Sequence, residues 1–465
     1  MRFSRPAIAS LLLAGMMAVP LPALAGGFYL QEQSPKETGR ALSGGAAAAD
    51  DPSTVYFNPA AMTQLSGIQT SVGGVLLFAA AGQQNRGSTR AGPSIGGGPV
   101  LLPATAPVTG GSGGNPFDKV IPVPSFYVTG QVTDRIWIGI GVTAPFGLKL
   151  DYDPDFFGRY DSLHTDLKTY DVQPSFAYRL TDHLSVGGGI DVQYAKVKLT
   201  NALPQLSPFI FSGPSSLPVI GFPPSTSLPS VTLAPDGLAT IKGDDWSVGW
   251  NAGLFYTTGG TNWGIHYRSG MQHRIQGSAT LSGLLGPLAR AGLNGTTDAS
   301  SPLNLPDVVT LSMMHRLTPH ARAMLTARWY NWSVFEQIAI TSGTGTSVKA
   351  LHYRDSYSFS AGGEVDVSPA LTLRAGTMFD RTPTNPQYLT TRVPDGDRVW
   401  LSGGATWAMS PQLAVNLSYA HNFVGKANLI RPDHYYSGAA SVTTTTRSLT
   451  SGNADQIAAS VTARF

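Results

Sequence analysis

The stretch Leu184–Leu199, LSVGGGIDVQYAKVKL, decides the fold. Val186, Gly188, Ile190, Val192 and Tyr194 fall on one side of an extended chain, and Ser185, Gly187, Gly189, Asp191 and Gln193 on the other. A two-residue period with one apolar side belongs to a strand whose two faces meet different surroundings. The period returns in Ile136, Ile138, Ile140 and Val142, and in Leu325, Ala327 and Trp329 opposite Thr326, Arg328 and Tyr330. It returns again in Leu413, Val415, Leu417 and Tyr419 opposite Asn416 and Ser418.

Fourteen such strands are predicted, near 66–80, 120–133, 135–146, 165–181, 184–200, 238–258, 261–282, 306–318, 320–341, 350–368, 370–381, 395–410, 412–428 and 450–465. Their connections alternate in kind. Six are tight: Thr133-Asp134, Thr181-Asp182, Thr258-Gly259-Gly260, Leu317 to His320, Ser368-Pro369 and Ser410-Pro411. Seven are longer, at 81–119, 146–165, 200–238, 282–306, 341–350, 381–395 and 428–450. Short turns on one side and long loops on the other is the layout of an outer-membrane barrel, whose closure leaves no strand edge in lipid. A soluble β-sandwich would explain neither the strand length nor the alternation. The last strand ends on an aromatic residue, with Ile457, Ala459, Val461, Ala463 and Phe465 on one face, which fits a signal for barrel-assembly machinery.

Residues 1–25 read as a cleaved export signal: Arg2 and Arg5, an apolar core from Ile8 to Val19, then Ala23-Leu24-Ala25. That core is shorter than the about 20 residues of a membrane-spanning helix. Without Arg2 and Arg5 the chain keeps 29 (31 − 2) Lys+Arg against 28 Asp+Glu, so nucleic acid is not an expected partner. There is no cysteine, so stability rests on backbone pairing and burial rather than disulfides. Between the leader and the strands lies Thr38–Ala61, TGRALSGGAAAADDPSTVYFNPAA, small-residue and unlike anything after it. The expected domains are thus the leader 1–25, a plug or hatch at 26–65 filling the lumen, and the barrel 66–465. A fourteen-stranded barrel is wide enough to leak unless filled.

Several stretches together resemble the FadL family of outer-membrane transporters of long-chain fatty acids and hydrocarbons. They are Gly27-Phe28, Gly39-Arg40-Ala41, Ala49-Asp50-Asp51, Asn58-Pro59-Ala60, Pro145 to Leu148, Gly158-Arg159-Tyr160 and Pro174 to Tyr178. Further on come Gly243 to Trp246, Gly249 to Gly253, Tyr267-Arg268-Ser269, Leu303 to Pro306, Phe379-Asp380, Pro394 to Arg398 and Trp400-Leu401-Ser402. The resemblance implies a fourteen-stranded barrel closed by an N-terminal hatch in the outer membrane of a Gram-negative bacterium. It implies a ligand path from an outer groove to an interior pocket, then sideways through the wall. It also implies that Asn58, Pro59 and Ala60 latch onto Asp380 and Arg398.

The outer groove is expected from two loops. One carries Phe209, Ile210 and Phe211 among prolines, and exposed apolar surface of that kind marks binding. The other carries Leu281, Leu284, Leu285 and Leu288 at helical spacing, although Gly286 and Pro287 interrupt the stripe. Mutual packing of the loops as a cap is the alternative. A fatty-acid carboxylate would need a cation, for which Lys196, Arg268, Arg328 and Lys349 are candidates. Asn201 stands where the family resemblance suggests a basic residue, which leaves neutral hydrocarbons open. Other expected partners are outer-membrane lipid and lipopolysaccharide, and the chain is expected to be a monomer.

No catalytic, metal or cofactor site is expected. Gly92-Pro93-Ser94-Ile95-Gly96 matches the nucleophile elbow in letters only, because no strand-to-helix turn surrounds it. Asp151, Asp153 and Asp155 have calcium-loop spacing, but Phe156 replaces the required Gly and Ser162 the closing Glu. A general porin for polar solutes and a surface receptor or adhesin are the alternative functions.

Overall fold

Fourteen antiparallel strands close on themselves, because the first and last pair from Gln69↔Arg464 to Asn85↔Ser448. The computed structural model describes residues 26–92, 105–117, 119–206, 209–212, 230–437 and 440–465; the leader 1–25 and the Gly92–Gly96 motif's serine lie outside them. Among the described residues no helix is long and apolar enough to cross a membrane. The wall is made of β1 (Ile68–Asn85), β2 (Ile121–Gln131), β3 (Ile136–Thr143), β4 (His164–Arg179), β5 (Leu184–Leu203) and β6 (Gly237–Thr258). It continues with β7 (Thr261–Arg268 and Gln272–Ser282), β8 (Gly295–Asn304 and Val308–Thr318), β9 (Ala321–Tyr330 and Gln337–Ser342) and β10 (Gly345–Ala350 and Ser356–Ser368). It closes with β11 (Leu371–Asp380), β12 (Arg398–Ala408), β13 (Leu413–Tyr435) and β14 (Val442–Arg464). The outward face is apolar, with Ile190, Val248, Trp250, Leu417 and Phe423 exposed, while Ser185, Asp191 and Gln193 are buried in the lumen.

All six tight turns stand where the sequence puts them. The long side differs more: Gly147–Asp151, Gly295–Asn304, Thr89–Ala91 with Thr105–Pro107, and Phe209–Ser212 with Ser230–Leu233 are strand within expected connections. Residues 341–350 form a hairpin turning at Gly343-Thr344, and β13 and β14 run on through most of 428–450. Above the membrane both faces of a strand are polar, so Thr443–Thr446 pair as strand without any apolar alternation.

Four strands are interrupted, β7, β9 and β10 where the sequence reads as continuous strand, and β8 where its first half, Gly295–Asn304, stands in the expected connection 282–306. β7 breaks at 269–271, β8 at 305–307, β9 at 331–336 and β10 at 351–355. Pro306 has no N–H for the ladder, and a Cβ on Gly270 would stand 2.5 Å from the Leu305 carbonyl oxygen. The breaks lie side by side, bridged by Leu305 N–H to Met271 O and Leu351 N–H to Glu336 O. They turn Met271, Leu305, Trp332, Phe335 and Tyr353 into the lumen as one apolar cluster.

Residues 26–65 fill the barrel, and nearly all of them are buried. Their backbone lies directly on the wall at glycines. A Cβ on Gly264 would meet the Ala46 carbonyl oxygen at 1.9 Å, one on Gly376 the Arg40 oxygen at 2.2 Å, and one on Gly187 the Ala60 nitrogen at 2.5 Å. These wall positions are glycine because the seat has no room for a side chain.

Gly264→Ala and Gly376→Ala are therefore expected to unseat the hatch and leave the barrel folded, overpacking of this kind costing about 1–3 kcal/mol. Single-channel conductance should rise in both. Gly403→Ala, whose Cβ would have only the Arg374 oxygen near it, at 3.8 Å, should behave as wild type.

Candidate functional site

Three cavities lie in series, each neighbouring pair sharing lining residues. The first, about 740 Å3, opens between β5, β6, the upper halves of β9 and β10, β13 and the 381–397 connection. Leu199, Ile241, Ile338, Ile340 and Arg392 belong both to it and to a smaller interior pocket of about 80 Å3. The interior pocket is otherwise largely apolar, lined by Phe28, Leu167, Val197, Ile275, Leu303 and Phe335, with Thr165 and Ser301 among them. Phe28, Leu148 and Val393 then pass from it into a third cavity of about 120 Å3 that reaches the wall at Ala79–Ala81, Ile121 and Gly147.

The third cavity lies where the ladder is open. β2 pairs with β1 from Ile68↔Gly130 to Leu77↔Ile121, but with β3 only from Phe126↔Val142 to Gln131↔Trp137. Beyond Thr143 the chain bends inward at Ala144-Pro145-Phe146, then resumes as Gly147–Asp151 paired to β4 alone. Pro122 and Pro124 sit on the free edge of β2 and Pro145 in the bend, three residues without an N–H to offer. The hatch occupies the inner side of this gap. Leu30 N–H donates to Pro145 O at 2.8 Å and Gly147 N–H to Phe28 O at 3.0 Å. Phe28 packs on Trp332 with ring centroids 4.8 Å apart and on Phe335 at 5.3 Å.

Arg392 is the cation at the middle of the path. It is buried, and its guanidinium donates to the His164 carbonyl, the Thr165 hydroxyl, and the Asp161 and Thr200 carbonyls at 3.0–3.4 Å. Among the described residues no carboxylate lies within ion-pair distance of it, and burial lowers its pKa from the ordinary value. The Asp161 carboxylate is held instead by Lys349 and by Thr391 Oγ1 at 2.6 Å. Burial would raise it, but Lys349, Thr391 and Arg431 together outweigh burial and bring it down to about 2.

A second buried set of charges fixes the hatch. Arg40 binds Glu37 within the hatch, Asp50 at 3.1 Å, and Glu364 of β10 at 2.8 Å. Lys36 adds a bond to Asp50 at 2.9 Å, and Arg374 one to Glu364 at 3.1 Å. Burial alone would raise the Asp50 carboxyl, yet Arg40 and Lys36 together hold it well below the usual range.

The expected latch is not assembled as expected. Asn58 caps the turn at Ala60, and its amide donates to Ala46 O at 2.9 Å and Leu254 O at 3.0 Å. Asn58 thus sits against Gly253 on β6, with Pro59 and Ala60 against Gly187 on β5, away from β11 and β12. Asp380 and Arg398 instead hold the start of the hatch: Gln31 donates to Asp380 at 2.9 Å, and Arg398 pairs with Asp395, which accepts from Gly27 N–H. Asn58 spends its polar atoms on neighbouring backbone and has none left for an ion pair.

Of the carboxylate candidates, Arg268 is locked to Asp191, Gln173 and the Tyr56 carbonyl under the hatch. Arg328 donates to Gln31 and to Leu42 O of the hatch. Neither lines the three cavities. Lys196 is exposed on the outer face of β5, opposite in the pleat to buried Ala195 and lumen-lining Val197. Lys349 alone of the four reaches the outer cavity, where it faces Asp161 and Asp433. In the groove set, Leu281 lies in the last two residues of β7 and the helix begins only at Gly286, so the helical stripe does not form. Leu284 and Leu288 are buried with Leu203 and Ala239, whereas Leu285 points to solvent. The strand Phe209–Ser212 pairs with Ser230–Leu233; the side chains of Phe209, Ile210 and Phe211 lie outside the described part. Arg392 was not singled out by its sequence; the neighbouring Pro394 to Arg398 was marked only as one of the stretches that carry the family resemblance.

Comparison with known proteins adds an independent observation. The family model described as outer membrane protein transport protein (OMPP1/FadL/TodX) matches residues 16–465. The long-chain fatty acid transport protein of Escherichia coli O6:H1 is 28% identical over 429 residues, 89% of this chain and 90% of that one. Outer membrane protein P1 of Haemophilus influenzae is 28% identical over 422 residues, 89% of each. Among solved structures, a Pseudomonas aeruginosa FadL homologue superposes with a TM-score of 0.78 at 22% identity, covering 95% of this chain and 100% of that one. The Pseudomonas putida toluene transporter TodX gives 0.62 at 16% identity, with 95% and 100% covered.

Arg40→Ala would leave Glu37 buried without a partner, while Glu364 keeps Arg374 and Arg322 and Asp50 keeps Lys36, a loss of about 3–5 kcal/mol of hatch docking. Limited proteolysis should then cut within 26–65 at a protease level that leaves the wild-type hatch intact, with the barrel still resistant.

Proposed function

The chain belongs to the OMPP1/FadL/TodX family of outer membrane transport proteins, and on that premise we propose that it carries hydrophobic compounds, long-chain fatty acids first, passively across the outer membrane. The observation that carries this is the series of three cavities that share apolar lining residues, with one buried cation at the first junction that has no carboxylate partner among the described residues. A chain of methylenes gains about 0.8 kcal/mol for each one buried. Leu199, Ile241, Ile338 and Ile340 supply that surface at the entrance, and Phe28, Leu148 and Val393 at the way out. A path whose waypoints share walls hands a ligand on without exposing it to water.

The carboxylate of a fatty acid would meet Arg392, which already donates only to neutral oxygens. The tail would lie toward Phe28 and Phe335. Exit is then sideways, through the open ladder between β2 and Gly147–Asp151, once residues 28–30 yield their hydrogen bonds to the Pro145 bend. The lumen itself stays shut by the hatch. That is the reason a general porin for sugars fits poorly. Neutral hydrocarbons are the second reading, favoured by Asn201, an uncharged residue in the outer cavity.

Arg392→Gln separates the two. Uptake of labelled oleate should fall about tenfold, the loss of one charged hydrogen-bonded contact, while toluene uptake is unchanged. Equal effects on both, or on neither, would remove the carboxylate role.

A further inference from the structure

Lys196, which faces away from the lumen, is one of four lysines on three adjacent strands. Lys168 of β4, Lys196 and Lys198 of β5 and Lys242 of β6 are all exposed on the outer face of the wall. Lys168 is the direct ladder partner of Lys196, and Lys198 of Lys242. Like charges directly opposite one another destabilise a sheet. Two aspartates share the surface: Asp166 opposite Lys198 and Asp244 opposite Lys196. Asp166 is taken by Lys168 at 2.8 Å, and among the described residues Lys196, Lys198 and Lys242 have no ion-pair partner. Four lysines and two aspartates leave a local charge of +2.

Height on the wall says what the charge faces. Tyr170, Tyr194 and Trp246 form one ladder row on the same outer face, Tyr194 and Trp246 with ring centroids 5.1 Å apart. Below that row the surface is Val172, Ile190, Val248 and Trp250, all exposed. An aromatic row over an apolar band is the edge of the hydrocarbon layer. The first lysine pair is two residues and the second four residues further toward the long connections, about 7 and 13 Å at strand rise. That is the headgroup layer of the outer leaflet, and lysine stems can lie along the wall with their ammonium groups in it.

We propose that these four lysines form a binding site for the phosphate groups of lipopolysaccharide, the phosphorylated glycolipid of the outer leaflet, with its acyl chains on the apolar wall below. Phosphate answers a cluster of ammonium point charges better than a single carboxylate does, since it presents several charged oxygens at once. The bound anion removes the like-charge repulsion that the ladder otherwise carries.

The test uses full-length protein in detergent, titrated with phosphorylated lipid A, with its dephosphorylated form and with phosphatidylethanolamine, read by native mass spectrometry. Lys168→Gln/Lys196→Gln/Lys198→Gln/Lys242→Gln should bind phosphorylated lipid A at least about tenfold more weakly, given roughly tenfold or less per lysine. Dephosphorylated lipid A should bind wild type no better than it binds the variant. Folding is checked by heat-modifiable migration, and Lys196→Gln/Lys198→Gln, confined to one strand, should give an intermediate loss. Oleate uptake in vesicles without the glycolipid should be unchanged in both variants, which separates this site from the transport path. Undiminished binding by the fourfold variant, or equal binding of the dephosphorylated form, would overturn the proposal.

Discussion

The close seating of one backbone on another, hatch on wall, is what the rest of this molecule depends on. A fourteen-stranded wall encloses a lumen that would pass water and small solutes freely. Filling it with bulky side chains would leave gaps, because a lumen lined by strands is not a close-packed surface. Here the hatch backbone lies on wall glycines at Gly187, Gly264 and Gly376, and Asn58 fills the place of a side chain at Gly253. Arg40 then ties the seated segment to Glu364 and to its own Glu37 and Asp50. Such a buried set holds because every charge in it has a counterpart; removing Arg40 strands Glu37, which has no other cation.

With the lumen filled, the proposed path runs through the wall. The inward bend at Ala144-Pro145-Phe146 opens the ladder on one side, and the aligned interruptions of β7 to β10 push an aromatic shelf inward on another. The hatch's first residues bridge the two, through Phe28 on Trp332 and Leu30 on the Pro145 carbonyl. Prolines at 122, 124 and 145 keep the open edge from recruiting another strand. The same forty residues thus fill the lumen and cover the inner side of the gap in the wall.

Much of this was legible in the sequence, and the exceptions have physical causes. Alternation in Leu184–Leu199 and its counterparts gave strand faces, and turn residues gave all six tight turns, because lipid on one side and a polar lumen on the other impose a strict period. Above the membrane that contrast vanishes, so Thr443–Thr446 and Thr346–Ala350 look like loop although they pair as strand. Interruptions such as 331–336 are invisible to periodicity because Trp332 and Phe335 read as ordinary strand apolar residues. The candidate site was harder. Arg268 and Arg328 are lumen cations as their parity says, but the sequence does not reveal that the hatch already occupies them. Lys196 has the opposite parity, and Arg392 lies in a connection where parity means nothing.

The central claim is that this barrel is closed to water and open to apolar molecules. Purified protein in vesicles, offered labelled oleate and a labelled small sugar side by side, tests it most directly. Oleate should enter faster in proportion to the protein present, with the sugar at the protein-free rate. Sugar entry that rises with protein while oleate entry does not would contradict the account.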